Sequence, residues 1–268
     1  MTPLIALACL LFAAALAQEP RTVTYEFPDV EPVEGVLRPT ASYVFPASIA
    51  DARPPPPSLE RLAGRRRALE RRRESPATTV ALGDLDRHEA QLRERELWAS
   101  WDHALASGDE PPDDAEEQTA IDSLRREAIT RYDLALASSQ APEPDRVLLA
   151  RGITARLLLD RTEARGSLTA LVEEHPDSRH VASAHLLLGE LAYEVGQPAD
   201  ATEHYTAVAD TEHELAPYAS YMLAWCQLMW GQESEGLRRL RALAAGPDDE
   251  PLSDMARDDL ERLGEGRR

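Results

Sequence analysis

The side chains most able to carry out chemistry in this sequence are its histidines, carboxylates and cysteines. A zinc site needs three or four closely placed ligands, and no histidine pair has a zinc-type spacing beside a third ligand. The sequence has no glycine-rich phosphate loop and no nucleophile elbow. Carboxylates are abundant, but no pair stands out as an acid and a base. We therefore predict a protein that has no catalytic residues, binds no metal and needs no cofactor.

Composition indicates what must hold such a chain together. Of the 268 residues, 43% are hydrophobic but only 5% are aromatic, so Leu and Ala must supply most of the core. Both are strong helix formers. The net charge of -19 repels phosphate backbones, so we expect no nucleic acid partner. We also expect no small-molecule substrate.

The first 17 residues are predicted to be a secretory signal peptide. The run from Pro3 to Ala17 is apolar or small throughout and too short to span a bilayer comfortably. Cleavage after Ala17 would remove Cys9 and leave Cys226 alone, which excludes an internal disulfide. Cys226 lies in an apolar helical stretch and is expected to be buried. The protein is then exported, and we expect no lipid anchor.

Residues 18–57 are rich in proline and end in four consecutive prolines. They are predicted to form an extended or disordered tether, with a short strand pair around Val36 and Val44 as the alternative. Residues 58–106 are predicted to be an Arg-rich helical segment, whose second helix spans 84–106. An acidic loop follows at 107–118.

Seven arginines and only two glutamates occupy residues 61–75. The favoured interpretation is a solvated helix that pairs with acidic surface of the same chain. The alternative is contact with an anionic partner, such as lipid head groups or an acidic protein.

From about residue 119 the sequence repeats itself with a period of 35 to 37 residues. Small residues recur at an anchor position and twelve positions later, where two antiparallel helices must approach closely. Turn positions follow seven residues after each anchor, and large residues follow sixteen after it. The anchors are Gly152, Gly189 and Ala224; the second small residues are Ala164, Ala201 and Gly236; the turn positions are Leu159, Gly196 and Gly231; the large residues are Leu168, Tyr205 and Leu240.

These positions resemble the tetratricopeptide repeat, with copies at about 145–178, 182–215 and 217–250. Ala128, Tyr132 and Ala135 reproduce the second-helix spacing and indicate a partial repeat upstream, while residues 252–263 resemble a capping helix. The resemblance implies an all-α fold, a short α-solenoid over residues 119–264. In the first copy, Arg151 and Leu159 stand where the family prefers Leu and Gly.

The resemblance also implies a concave groove lined by the first helix of each repeat. A partner segment would bind there, and the third repeat has the aromatic composition of an interface anchor. The alternative is that Tyr221 and Trp225 pack against the capping helix or a neighbouring repeat. The predicted groove residues are Leu149, Ile153, Arg156, Leu157, Leu186, Glu190, Tyr193, Glu194, Tyr221, Trp225, Leu228 and Met229.

The string at 175–178 and the stretch 218–226 are similar to envelope tetratricopeptide proteins of Gram-negative bacteria. These include the periplasmic partner of the Tol–Pal system, BamD-like lipoproteins and myxobacterial gliding proteins. That resemblance implies a periplasmic or envelope adaptor that binds other envelope proteins, with peripheral membrane contact left open. The alternatives are an accessory or degenerate subunit of a cell-wall enzyme system, and a self-assembling structural protein.

Overall fold

A computed structural model describes residues 22–25, 43–46, 58–110, 112–247 and 251–264 of the chain. Two short antiparallel strands, β1 (Thr22–Tyr25) and β2 (Tyr43–Pro46), lie within the predicted tether. In the described ranges, no helix is both long and apolar enough to cross a membrane. The described ranges hold ten helices: α1 (Leu59–Glu70), α2 (Pro76–Ser107), α3 (Ala115–Leu136), α4 (Pro144–Leu157), α5 (Arg161–Glu174), α6 (Val181–Glu194), α7 (Pro198–Ala209), α8 (Ala216–Met229), α9 (Glu233–Ala244) and α10 (Pro251–Arg262).

The predicted all-helical solenoid is confirmed, because within each compact part of the described chain neighbouring helices pack against one another, as α2 does on α3 and α6, α7, α8 and α9 do in turn. The chain divides into two compact units. The N-terminal unit is residues 52–171, and the C-terminal unit is residues 172–268 together with the paired strands.

In the N-terminal unit, α1 lies along α2 and buries Leu62 against Leu85 and Leu92. The second helix begins at Pro76, not at residue 84 as predicted. Ser75 explains the earlier start, since its hydroxyl accepts a hydrogen bond from the Thr78 backbone N–H at 3.2 Å. Pro76 then occupies the first helical position, where a missing N–H costs nothing.

Helices α2 and α3 form the first hairpin, and Gly83 is the point of closest approach. A Cβ at Gly83 would lie 2.9 Å from Cε1 of Tyr132, so only glycine admits this tyrosine ring. Tyr132 is buried with Val80, Ala128 and Ala135. The partial repeat predicted upstream therefore has a first helix, α2, which the period did not reveal.

Helices α4 and α5 repeat this contact, since a Cβ at Gly152 would lie 2.9 Å from Cγ of Leu168. The turn between them is closed by Leu159, whose φ is +60°. The Leu159 N–H donates to Arg156 and the Asp160 N–H donates to Ala155, the two bonds of a Schellman motif. A leucine thus takes the left-handed conformation that glycine takes in the later repeats.

Arg151, the other departure from the family pattern, is accounted for by its partners. Its guanidinium donates to Asp133 on α3 at 2.6 Å and to Glu163 on α5 at 2.6 Å. It also donates to the hydroxyl of Ser167 at 2.5 Å. An arginine with three acceptors on two neighbouring helices takes the place of an apolar contact.

The C-terminal unit contains two complete hairpins, α6–α7 and α8–α9, followed by α10. A Cβ at Gly189 would lie 2.7 Å from the ring of Tyr205, and a Cβ at Gly236 would lie 2.7 Å from the Ala224 carbonyl oxygen. Both turns are closed by glycine with positive φ, at Gly196 (+72°) and Gly231 (+71°). The anchors and turns recur with the spacing seen in the sequence.

Candidate protein-interaction surface

In the third repeat, Tyr221 and Trp225 are completely buried on α8. The Tyr221 hydroxyl donates to Oδ2 of Asp259 on α10 at 2.5 Å, and the Trp225 ring N–H donates to the same oxygen at 3.2 Å. Arg262 donates to the other carboxylate oxygen at 2.7 Å and lies 5.9 Å from the Trp225 ring centroid. Helix α10 thus covers the aromatic side chains that were predicted to face either a partner or the cap.

Burial controls the electrostatics of this contact. Loss of solvent raises the pKa of the Asp259 carboxyl, and the hydrogen bond from Tyr221 and the charge of Arg262 oppose that shift only in part. Burial also raises the pKa of the Tyr221 phenol, and the adjacent Asp259 raises it further. The tyrosine therefore remains a hydrogen-bond donor across the physiological pH range.

In the second repeat, some of the predicted groove residues are buried and others are half-buried. Leu186 and Glu190 are buried on α6, and Glu190 accepts a 2.7 Å hydrogen bond from the hydroxyl of Tyr218 on α8. That bond joins the first helices of two successive repeats. Tyr193 and Glu194, one turn further along α6, are half-buried.

In the first repeat, within the N-terminal unit, Leu149, Ile153 and Leu157 are buried on α4, and Arg156 is half-buried. The side chains that solvent still reaches therefore lie mostly at the C-terminal ends of the first helices. In α8 these are Leu228 and Met229, both half-buried.

Two exposed apolar residues that sequence reasoning missed stand at those same helix ends. Val195 is 45% exposed directly before Gly196, and Trp230 is 53% exposed directly before Gly231. They hold equivalent positions in consecutive repeats, one residue before the left-handed turn. The equivalence was a usable signal, because an apolar residue just before each turn glycine recurs with the repeat period.

We use the name apolar edge for Tyr193, Leu228 and Met229 in the last turns of α6 and α8, together with Val195 and Trp230, the residues that directly follow these helices. Helices α6 and α8 run in the same direction, because α7 lies between them in the chain and is antiparallel to both. Parallel, stacked first helices bring their C-terminal ends to one side of the unit. A large exposed tryptophan among half-buried apolar neighbours has the composition of a protein contact surface.

Most arginines of residues 61–75 form no ion pair with the part of the chain that the structure describes. Arg66 bridges to Asp86 at 2.6 Å and to Glu89 at 3.1 Å, as the favoured interpretation required. The other six are exposed, with no ion pair to another described residue: Arg61, Arg65, Arg67, Arg71, Arg72 and Arg73. Pairing among the described residues thus accounts for one arginine of the seven.

The cysteine and histidine side chains that could carry out chemistry have structural roles. Cys226 is buried, and loss of solvent raises the pKa of its thiol to about 12, so it is protonated and unreactive at neutral pH. His185 on α6 and His204 on α7 face each other, with their Nδ1 atoms 3.2 Å apart. Among the residues that the structure describes, no three His, Cys, Asp or Glu side chains are grouped as a metal site.

Comparison with known proteins places this geometry in a class. The family model of the tetratricopeptide repeat matches residues 146–178, which contain nearly all of α4, all of α5 and the turn that Leu159 closes. Neither the curated proteins nor the solved structures gave a match. The match shows that residues 146–178 are similar to one tetratricopeptide repeat. Such repeats are generally non-catalytic scaffolds, so the repeat indicates a role in protein–protein interaction.

Proposed function

We propose that this protein is a non-catalytic adaptor of the bacterial cell envelope that binds another envelope protein through the apolar edge of its C-terminal unit. The observation that carries the proposal is the exposure of Trp230 at the same repeat position as the exposed Val195. Tryptophan is among the residues most enriched at binding hot spots. An adaptor without catalytic groups needs one such surface and a rigid frame that holds it.

Two buried hydrogen bonds join neighbouring helices of this frame. Glu190 joins α6 to α8 and Asp259 joins α8 to α10, each through a buried tyrosine hydroxyl. A partner therefore meets a surface that is already formed, which lowers the entropic cost of binding. It would contact the ends of the first helices and leave the filled interior between them undisturbed.

The envelope location rests on the sequence. The apolar run that ends at Ala17 supports export, and the similarity of 175–178 and 218–226 to envelope repeat proteins supports the same compartment. Export is tested by expressing the full chain in its host, fractionating the cells and sequencing the N-terminus of the protein. A mature chain that begins at Gln18 in the periplasmic or membrane fraction is expected. An uncleaved cytosolic chain would contradict it.

The binding surface is tested by site-specific photo-crosslinking in living cells. A photoreactive phenylalanine analogue replaces Trp230 in one variant and Leu134 in the control. Leu134 is a matched control because it is also apolar and 64% exposed, but lies on α3 in the N-terminal unit. Cross-linked bands are identified by mass spectrometry.

We expect a discrete adduct from position 230 that Val195→Asp abolishes, and no such adduct from position 134. The same adduct from both positions would show that contact is not confined to the apolar edge. No adduct at 230, together with one at 134, would place the binding surface on the other unit and overturn the proposal.

A further inference from the structure

We propose that the N-terminal unit associates head to tail, with the exposed arginines around α1 of one copy bound to an acidic surface of a second copy. The basic patch is the set of six exposed arginines already named on and after α1. The acidic patch follows α2 and consists of Asp109, Glu110, Asp113, Asp114 and Glu116.

The basic patch is held outward by the packing of its helix. Leu62 faces α2 and is buried there, while Leu59 and Leu69 pack against the same cluster. The exposed side of α1 carries no large apolar side chain that could enter a bilayer. Arginine forks bind carboxylates in pairs of parallel hydrogen bonds, so clustered carboxylates suit this surface better than a lipid interface.

The acidic patch is equally uncompensated. Its five carboxylates have no ion pair with another described residue, whereas the neighbouring Glu117 is paired with Arg93 at 3.1 Å. Four of the five are exposed, and Asp114 is half-buried. Five close negative charges without counterions are costly to hold together, and a basic surface would relieve that repulsion.

The arginines that precede α2 and the carboxylates that follow it cannot neutralise each other within one copy. Arg71, Arg72 and Arg73 directly precede the start of α2, and the acidic patch begins just after its end. The 32 residues of α2 form one continuous helix, about 48 Å long at 1.5 Å per residue. Complementary charges beyond the two ends of α2, Arg71 to Arg73 at one and Asp109 and Glu110 at the other, favour contact between copies. Such a head-to-tail contact leaves one free patch at each end and extends into chains unless its rotation closes a ring.

The net charge of -19 does not prevent this contact at moderate salt. The Debye length is about 10 Å at 0.1 M ionic strength, so distant negative charges are screened while the opposed patches still attract. At about 1 M salt the length falls to about 3 Å, and the contact should dissociate.

The test is sedimentation velocity on the mature chain, residues 18–268, over a concentration series at 0.1 M salt. The basic-patch variant carries Arg71→Glu, Arg72→Glu and Arg73→Glu. The acidic-patch variant carries Asp109→Arg, Glu110→Arg and Asp113→Arg. A control with the same change in net charge as the basic-patch variant reverses three exposed arginines elsewhere, Arg126→Glu, Arg179→Glu and Arg238→Glu. Circular dichroism checks that each variant is folded.

We expect the parent's sedimentation coefficient to rise continuously with concentration and to lose that rise at 1 M salt. Each patch variant alone should associate about 10- to 100-fold more weakly, since three ion pairs are lost and like charges oppose. Mixing the two variants should restore association, because their reversed patches are complementary. The control should behave as the parent does.

A parent that stays monomeric at 0.1 M salt, or association that survives the basic-patch variant, would overturn the proposal. Co-sedimentation of the monomer with phosphatidylglycerol vesicles, lost in the basic-patch variant, would instead assign the arginines to an anionic membrane. None of these outcomes depends on the apolar edge, so the two proposals can fail separately.

Discussion

Asp259 is the residue through which the C-terminal unit closes its last repeat, and Asp259→Ala is the most informative perturbation of the fold. One oxygen of this carboxylate accepts hydrogen bonds from both Tyr221 and Trp225. The substitution removes this shared acceptor and leaves two buried donors on α8 without a partner. It also removes the negative partner of Arg262.

The expected loss in the free energy of unfolding follows from the two donors that are left without an acceptor. A buried polar group left without a partner costs about 1–3 kcal/mol. Two such groups predict that the free energy of unfolding of the C-terminal unit falls by about 2–6 kcal/mol. Burial of the Asp259 charge offsets part of what the carboxylate contributes, because it raises the pKa of this group. We therefore expect the lower half of that range.

The assay is urea unfolding at pH 7, followed by far-ultraviolet circular dichroism. Asp258→Ala is the matched control, since Asp258 is the exposed neighbour on the same helix. Asp259→Asn should lose less than Asp259→Ala, because its amide oxygen can still accept both hydrogen bonds. If Asp259→Ala costs no more than Asp258→Ala, the reasoning that α10 is held by this carboxylate is refuted.

Three further predictions follow from single positions. Leu159→Gly should raise the unfolding free energy by about 0.5–1 kcal/mol, since it relieves left-handed strain of about 1–2 kcal/mol at some cost in chain entropy. The reciprocal Gly196→Leu should lower it by a similar amount, and changes of the same sign in thermal unfolding would contradict the argument from left-handed strain. Gly189→Ala should cost about 1–3 kcal/mol in urea unfolding, because its Cβ would overlap a tyrosine ring, and a neutral result would mean that the ring moves freely. Burial lowers the pKa of His185 below its ordinary 6.5. The unfolded state then binds more protons than the folded state, so stability should be complete above pH 6.5 and fall as the pH drops below it. The slope should be at most about 1.4 kcal/mol per pH unit. His185→Asn should flatten the profile, whereas exposed His103→Asn should not.

The repeats could be predicted because their constraint is local in sequence. A small residue that admits a large one sixteen positions later leaves a mark at a fixed spacing, as Gly189 and Tyr205 do. The α2–α3 hairpin has the same contact, but Gly83 and Tyr132 are 49 positions apart. Because α2 and α3 are longer than the helices of the later repeats, Gly83 lies outside the repeat period. The sequence pattern therefore showed only the second helix of that repeat.

The burial of Trp225 was harder to foresee, because an apolar helix face looks alike whether it meets a partner or a cap. The sequence of α10 contains the signal that could have distinguished a cap from a partner. Leu252, Met255, Ala256 and Leu260 form one buried helical face, and Asp259 lies on that face. A carboxylate on an apolar face requires donors opposite, and the tyrosine and tryptophan of α8 supply them.

The burial of Trp225 also decides where a partner can bind. A buried tryptophan side chain covers about 150–250 Å². At about 25 cal/mol per Å², exposing it by moving α10 costs about 4–6 kcal/mol before any polar bond is broken. A ligand that needs that open state loses about a thousandfold or more in affinity. Trp230 is already 53% exposed and requires no rearrangement. Binding lost in Trp225→Ala would therefore report on folding, whereas binding lost in Trp230→Ala with unchanged stability would report on the surface itself.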